Sequence, residues 1–445
     1  MAGPGIRCWE FARALAGDAD VKLFTPAASD LAAEGFELAT YDRERVAEAV
    51  GGCEVLLAQG FTFNENPELT RMGKFLIIDL YVPLTLEAMG QYEHLTLPEQ
   101  AGIQQGIIGA LKRQLEIGHF FICASERQRD YWLGWLSMAG RVTPEVYGRD
   151  RTLRELIDVV PFGLPETPPV ATGRVLKGVH PAIGENDRVL LWGGGIYNWL
   201  DPFTAIRAVA LLAEKRDDIK LFFLGTRHPD PNVPKMRAYD EAVALSRELG
   251  VLDSAVIFND KWVPYEERAN YLLEADLGAN ANIEHVETRF AFRTRILDCI
   301  WASLPVVSTH GDCLSGLVER KELGLVVDSG EAAAYAAAVE RLLDDKTLYC
   351  RCRENLEAVA RDFRWPVATE PLKRFLAHAG AEGAGGRVIG RLECESAGTG
   401  GDSGASSCAG TWRAAGVIHR RAVGIIRRAT GVIRRAARKF RIRIS

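Results

Sequence analysis

Short apolar runs ending in small or polar residues recur through the first 165 residues, and longer stretches with helical spacing separate them. DVKLFTP (20–26), CEVLLAQG (53–60), KFLIIDLY (74–81) and HFFICAS (119–125) have the pattern of strands buried on both faces. WEFARALAG (9–17) and PEQAGIQQGIIGALKRQLEIG (98–118) have the pattern of helices. GPGIR (3–7) is expected to be a flexible turn carrying a cation, leading into the first helix. The stretch VVPFGLPETPPVATG (159–173) holds four prolines and breaks the rhythm, which marks a linker.

A second strand–helix rhythm follows. DRVLLWGGG (187–195) is a strand entering a glycine turn, and DPFTAIRAVALLAEK (201–215) is a helix. IKLFFLGTR (219–227), AVIFND (255–260), ADLGANA (275–281) and LPVVST (304–309) read as further strands, and EAAAYAAAVERLLDD (331–345) as a late helix. The fold class is therefore α/β: two Rossmann-like, doubly wound domains facing a cleft. The predicted divisions are 1–160, 161–378, a Gly-rich linker over 379–411 and a basic amphipathic helix over 412–445.

Charge changes this picture only at the C-terminus. Eleven of the 54 Lys and Arg residues fall in 412–445, which has no Asp or Glu, and this leaves 43 basic residues against 59 acidic ones elsewhere. The Arg pairs of GVIHRRA, VGIIRRA and TGVIRRA recur every seven residues, with Ile and Ala opposite, as in a helix lying on an anionic membrane surface. Docking of the tail on the acidic body is the other reading. Nucleic acid is not expected, because no aromatic stacking pattern accompanies the charge. No apolar run reaches the ~18 residues of a membrane span, no secretory signal pattern opens the chain, and nine cysteines lack a disulfide or zinc rhythm. A cytoplasmic protein, peripheral on the inner face of the membrane, is the expected location.

Chemistry concentrates in ETRFAFRTRILDCIWASLPVV (287–307), where Arg289, Arg293 and Arg295 lie between Glu287 and Asp298. Crowded arginines either form a solvated face or hold an anion. WGGGIYN (192–198) resembles a phosphate-binding turn and equally suits a plain tight turn; it is neither G-x-G-x-x-G nor a P-loop. H-E-x-x-H, C-x-x-C and G-x-S-x-G are absent, which disfavours a dedicated metal site and a serine hydrolase.

From about 160 to 378 the chain resembles the family 4 retaining glycosyltransferases of GT-B fold. The telling part is LDCIWASLPVV followed by STHGD, similar to that family's LEAMACGTPVV element. The resemblance implies that Asp298 binds the nucleotide ribose. It also implies donor contacts at Gly194, Gly195, Gly225, Trp262 and Val263, where Trp262 would stack on the base or pack in the core. The pattern departs from the family in two places. The family's first glutamate falls on Phe290, with Glu287 the nearest acid, and the usual phosphate-gripping Arg and Lys fall on Gly195 and Leu200. We expect Arg293, with Arg289 or Arg295, to supply that charge instead; pairing with surface acids is the alternative.

GPGIR, QGFTF, DLYVP and ASERQRDYW resemble the acceptor side of such enzymes, giving Gly5, Arg7, Asp79, Tyr81 and Ser125 as candidates. Glu287 and Asp79 are the candidate catalytic carboxylates. A GT-B first domain normally opens with a strand before its glycine turn; here the glycines stand at residues 3–5, so that strand is expected to be missing. The implied activity is metal-independent transfer of a sugar, with retention, from a nucleotide-diphosphate donor to a cell-envelope or lipid-linked glycan. No cofactor is implied beyond that substrate. A nucleotide-sugar epimerase or phosphorylase on the same scaffold and a non-catalytic membrane-associated scaffold are the alternatives. The missing G-x-G-x-x-G argues against a nicotinamide oxidoreductase.

Overall fold

The computed structural model describes residues 3–25, 31–42, 44–226, 236–261, 263–381 and 443–444. The first sheet uses β1 (Lys22–Thr25), β2 (Glu37–Thr40), β3 (Val55–Gln59), β4 (Phe75–Asp79), β5 (Phe120–Cys123) and β6 (Ile157–Val159). The second uses β7 (Arg188–Trp192), β8 (Ile219–Phe223), β9 (Val256–Phe258), β10 (Leu277–Ala279), β11 (Val306–Thr309) and β12 (Gly324–Val327). Its order is β12-β11-β10-β7-β8-β9, and every pairing is parallel. Helices cover both faces, so Leu76, Ile77 and Ile78 of β4 and all of β5 are buried, and no in–out alternation is left.

The first sheet runs β2-β1-β13-β3-β4-β5-β6, where β13 is the two-residue strand Arg443–Ile444. It pairs antiparallel with both β1 and β3. The Gly-rich linker beyond residue 381, and the basic helix predicted over 412–445 apart from that strand, lie outside the described residues. Among the described residues no helix is long and apolar enough to cross a membrane.

GPGIR is not a turn. Gly3–Leu15 is one helix, with Ile6, Phe11 and Leu15 among its buried residues. Its Arg7 meets Asp79 at the end of β4 through two bonds, Nε to Oδ2 at 2.7 Å and Nη2 to Oδ1 at 3.1 Å. The remaining nitrogen, Nη1, and Nη2 donate to the carbonyls of Pro161 and Val160, and the guanidinium lies 4.5 Å from the Phe11 ring centroid and 4.6 Å from that of Tyr81. Arg7 and Asp79 are fully buried. Their expected acceptor-side and catalytic places are therefore corrected: the pair holds the first helix to the sheet and faces no open space.

The chain crosses to the second sheet along the Pro-rich segment and returns after residue 364. Trp365 packs over Gly163, where an added Cβ would sit 2.4 Å from the indole, and edge-on to Phe11. The helix Glu370–Ala381 then lays Phe375 flat on Phe120 of β5, with centroids 4.4 Å apart. Two crossings seated on large aromatics hold the sheets around a common cleft.

Removing one member of a fully buried ion pair leaves the other charge uncompensated. Asp79→Ala should lower unfolding stability by ~3–5 kcal/mol, measured by urea denaturation. A loss below 1 kcal/mol would contradict the anchoring role.

Candidate functional site

Strand order in the second sheet reverses beside β7, and open α/β sheets bind ligands outside the strand ends at that point. The Gly193–Gly195 turn leaves β7 there. Gly194 has φ +88°, which a residue with a side chain rarely adopts, and a Cβ on Gly195 would meet the Tyr197 ring at 3.0 Å. Tyr197 in turn stacks on Trp199, with centroids 4.9 Å apart and planes 3° from parallel. The turn thus brings bare backbone to the edge of a cleft of about 720 Å³ lined by both domains.

Opposite the turn, Arg293 caps the helix Thr294–Trp301 without a side-chain capping bond, so the first helical N–H groups are left to solvent or an anion. Arg293 is 9% exposed; its Nη2 donates to Glu287 Oε2 at 2.7 Å and its Nε to Asn282 Oδ1 at 3.2 Å. Nη1 makes no hydrogen bond to any described residue, and Arg293 lines the cleft. Asn282 Nδ2 donates onward to Asp312 Oδ2 at 2.6 Å, and Asp312 Oδ1 accepts the N–H groups of Leu314 and Ser315. A buried chain of charges and amides thereby fixes Arg293 from behind.

Arg295 lies with its guanidinium 4.5 Å from the Trp192 ring centroid and donates from Nη2 to the Gly195 carbonyl at 3.1 Å. Its Nη1 is buried without a partner. Burial, and then the like charge of Arg293, pull its pKa down to about 10, so it remains a cation at neutral pH. One turn further on, Asp298 accepts from Arg268 Nε at 3.1 Å. Arg268 is clamped by the rings of Tyr265 and Trp301, at 3.4 and 4.4 Å. Burial pushes the Asp298 carboxyl up and the Arg268 guanidinium opposes it.

From the first domain, Tyr81, Glu87, Gln128 and Phe162 reach the cleft. Gln128 Nε2 donates to the Phe290 carbonyl at 2.9 Å, and Arg127 Nη1 to the Gly311 carbonyl at 2.9 Å. These bonds link the helix Glu126–Met138 to the arginine segment, so one domain holds that segment of the other in place.

Of the donor-side candidates, Gly194, Gly195, Gly225, Val263, Arg293, Arg295 and Asp298 line this one cleft. Glu287 stands behind Arg293, only 4% exposed. Arg289 points to solvent and is not part of the cleft lining, so it is not a phosphate ligand here. Trp262 lies outside the described residues. On the acceptor side only Tyr81 lines the cleft. Gly5 is buried within the first helix, and Ser125 caps the helix Glu126–Met138 while touching Cys313 Sγ at 3.2 Å. Leu200, in the place of a family cation, is 1% exposed in the core. Glu87, Gln128, Tyr265 and Arg268 were not anticipated. The only sequence signal for Arg268 is its place between aromatic residues in the segment just before β10.

A glycine turn, two cations and a carboxylate thus line one cleft between two doubly wound α/β domains. Residues 187–345 match the family Glycosyl transferases group 1. Over 99 residues the chain is 31% identical to a probable sucrose-phosphate synthase 2 of Oryza sativa subsp. japonica; that stretch is 22% of this chain and 10% of the rice protein's length. Two solved structures share the whole architecture. Sucrose-phosphate synthase from Thermosynechococcus elongatus superposes with TM-score 0.62 and 18% identity, over 86% of this chain and 94% of that one. HepE of Anabaena, in complex with UDP-glucose, superposes with TM-score 0.59 and 14% identity, over 85% and 96%. The fold is GT-B.

Arg293→Ala should cost ~3–5 kcal/mol of stability by stranding Glu287, and adding Glu287→Leu should recover most of it. Denaturant unfolding of the two variants checks this; equal stability of the single variant and the parent would contradict it.

Proposed function

We propose that the chain is a retaining glycosyltransferase that moves a sugar from a nucleotide-diphosphate donor to a cell-envelope or lipid-linked glycan. The observation that carries this reading is that Gly194, Gly195, Arg293, Arg295 and Asp298 line a single cleft between the domains. The match of residues 187–345 to group 1 glycosyl transferases supports it, as do the UDP and UDP-glucose complexes of Anabaena HepE. WaaG, described as a glycosyltransferase of lipopolysaccharide biosynthesis, superposes with TM-score 0.55 at 16% identity over 84% of this chain and 95% of its own; this favours an envelope acceptor. Transfer to a free sugar phosphate is the second reading, favoured by the 31% identity to the rice protein.

In this scheme Asp298 accepts hydroxyl donors from the ribose, as a carboxylate does well. The diphosphate rests on the backbone of the glycine turn, within reach of Arg295 and of Arg293 Nη1. The anomeric carbon–oxygen bond to phosphate breaks as charge collects on the leaving diphosphate, which the two guanidiniums stabilise. The acceptor hydroxyl attacks from the same face, and its proton passes to the departing phosphate oxygen. No protein nucleophile is required. The basic tail would bring the enzyme to an anionic membrane, where each cation is worth ~1 kcal/mol before screening.

A thermal-shift screen of UDP-, GDP-, ADP- and dTDP-glucose should find one stabilising donor. Asp298→Ala should then weaken that donor by ~10–100-fold in calorimetry, the size of a lost hydrogen bond to a charged group. Arg295→Met, which keeps the stack on Trp192, should weaken the nucleoside diphosphate similarly and leave the bare nucleoside unchanged. Absence of any nucleotide binding would defeat the proposal.

A further inference from the structure

Glu87 sits in the first turn of the helix Leu84–Gln91 and lines the cleft from the first domain. Its side chain makes no hydrogen bond or ion pair with any described residue, although it is half-buried. Arg293 of the second domain, with Glu287 bound behind it, Tyr81 of its own domain and Tyr197 of the glycine-turn loop line the same cleft. Glu287 brings a second unsatisfied group: its Oε2 is bound to Arg293, whereas its Oε1 is buried without a partner. Glu87 therefore lines the cleft with hydrogen-bonding capacity to spare, and Arg293, held from behind by Glu287, lines the same cleft. Buried polar groups in native proteins are seldom left so, unless a ligand or water completes them.

The order of contacts along the cleft says which part of a ligand belongs there. Tyr265, Arg268 and Asp298 form one end. Arg295 and the Gly193–Gly195 turn come next, joined by the bond to the Gly195 carbonyl. Arg293, with Glu287 bound behind it, and Glu87 of the first domain also line the cleft. A nucleotide sugar has the matching order of base and ribose, then diphosphate, then sugar.

Resting on the donor reading above, we propose that Glu87 is the first domain's sugar-binding group: its carboxylate accepts a hydrogen bond from a hydroxyl of the donor sugar, held between Glu87 and the Glu287–Arg293 pair. Residues of both domains then grip the same sugar, so the cleft distinguishes a sugar nucleotide from the nucleotide alone. Burial first, and then the charge of Glu287, push the Glu87 carboxyl up to about 7, with Arg293 opposing. Below that pH it is neutral and above it ionised, so its bond to a sugar hydroxyl strengthens as pH rises through neutrality. Tyr81 and Tyr197, both raised by burial, stay neutral throughout this range.

The test is calorimetry of the parent chain and Glu87→Gln at pH 6 and pH 8. The titrants are whichever of UDP-, GDP-, ADP- and dTDP-glucose stabilises the protein, and its nucleoside diphosphate. At pH 8 the variant should bind the sugar nucleotide about tenfold more weakly than the parent, and at pH 6 the gap should shrink to about twofold. The nucleoside diphosphate should bind parent and variant alike at both pH values, which also shows that the variant is folded. Equal sugar-nucleotide affinity at pH 8, or an equal loss for the nucleoside diphosphate, would overturn the role of Glu87 and leave the donor reading standing. Failure of the parent to bind any of the four would overturn both.

Discussion

A guanidinium cannot be left unpaired inside a protein, and the way Arg293 meets this constraint organises the cleft. It is held by Glu287 and Asn282, Asn282 is held by Asp312, and Asp312 is held by the backbone N–H groups that open the next helix. Each member would be costly alone in that setting, and together they form a rigid support. What is left is one free terminal nitrogen at the cleft wall. The residues around it, from the glycine turn to Glu87, take their relevance from that fixed charge.

The same logic divides the molecule's buried ion pairs by role. Arg7 and Asp79 satisfy one another completely and add two backbone carbonyls, so they have nothing to offer a ligand and act as an anchor. Arg295 is buried on Trp192 with an unsatisfied nitrogen, and Glu87 lines the cleft with no hydrogen-bond or ion-pair partner among the described residues. Incomplete pairing together with a place on the cleft wall, not burial alone, sets Arg295 and Glu87 apart from the Arg7–Asp79 anchor.

Much of the fold was legible because parallel strands covered on both faces are continuous apolar runs: VLLA, FLIID, FFIC, RVLLW and KLFF all appear as strands. Four strands escaped: β13 falls within the stretch expected to be a basic helix, and the other three were missed for identifiable reasons. β2 is partly exposed and has no apolar run, β6 is three residues long and abuts the prolines of the linker, and β12 is mostly half-buried. The helix over Gly3–Leu15 was misjudged because glycine and proline near a helix start look like a turn, whereas proline is tolerated in the first turn. At the site, the cluster from Arg293 to Asp298 stood out by its spacing. Arg289 belongs to the same sequence cluster but faces solvent, and a one-dimensional pattern cannot reveal that. Glu87 was invisible because its significance arises only when the other domain is placed opposite it.

In the proposed scheme the diphosphate-binding charge comes from Arg293 and Arg295, beside a glycine turn that itself carries no cation. A crystal structure of the complex with a nucleoside diphosphate tests it most directly. The account predicts phosphate oxygens within hydrogen-bonding distance of the Gly194 or Gly195 amide and of at least one of the two guanidiniums. Phosphates bound beyond the reach of both arginines would contradict it.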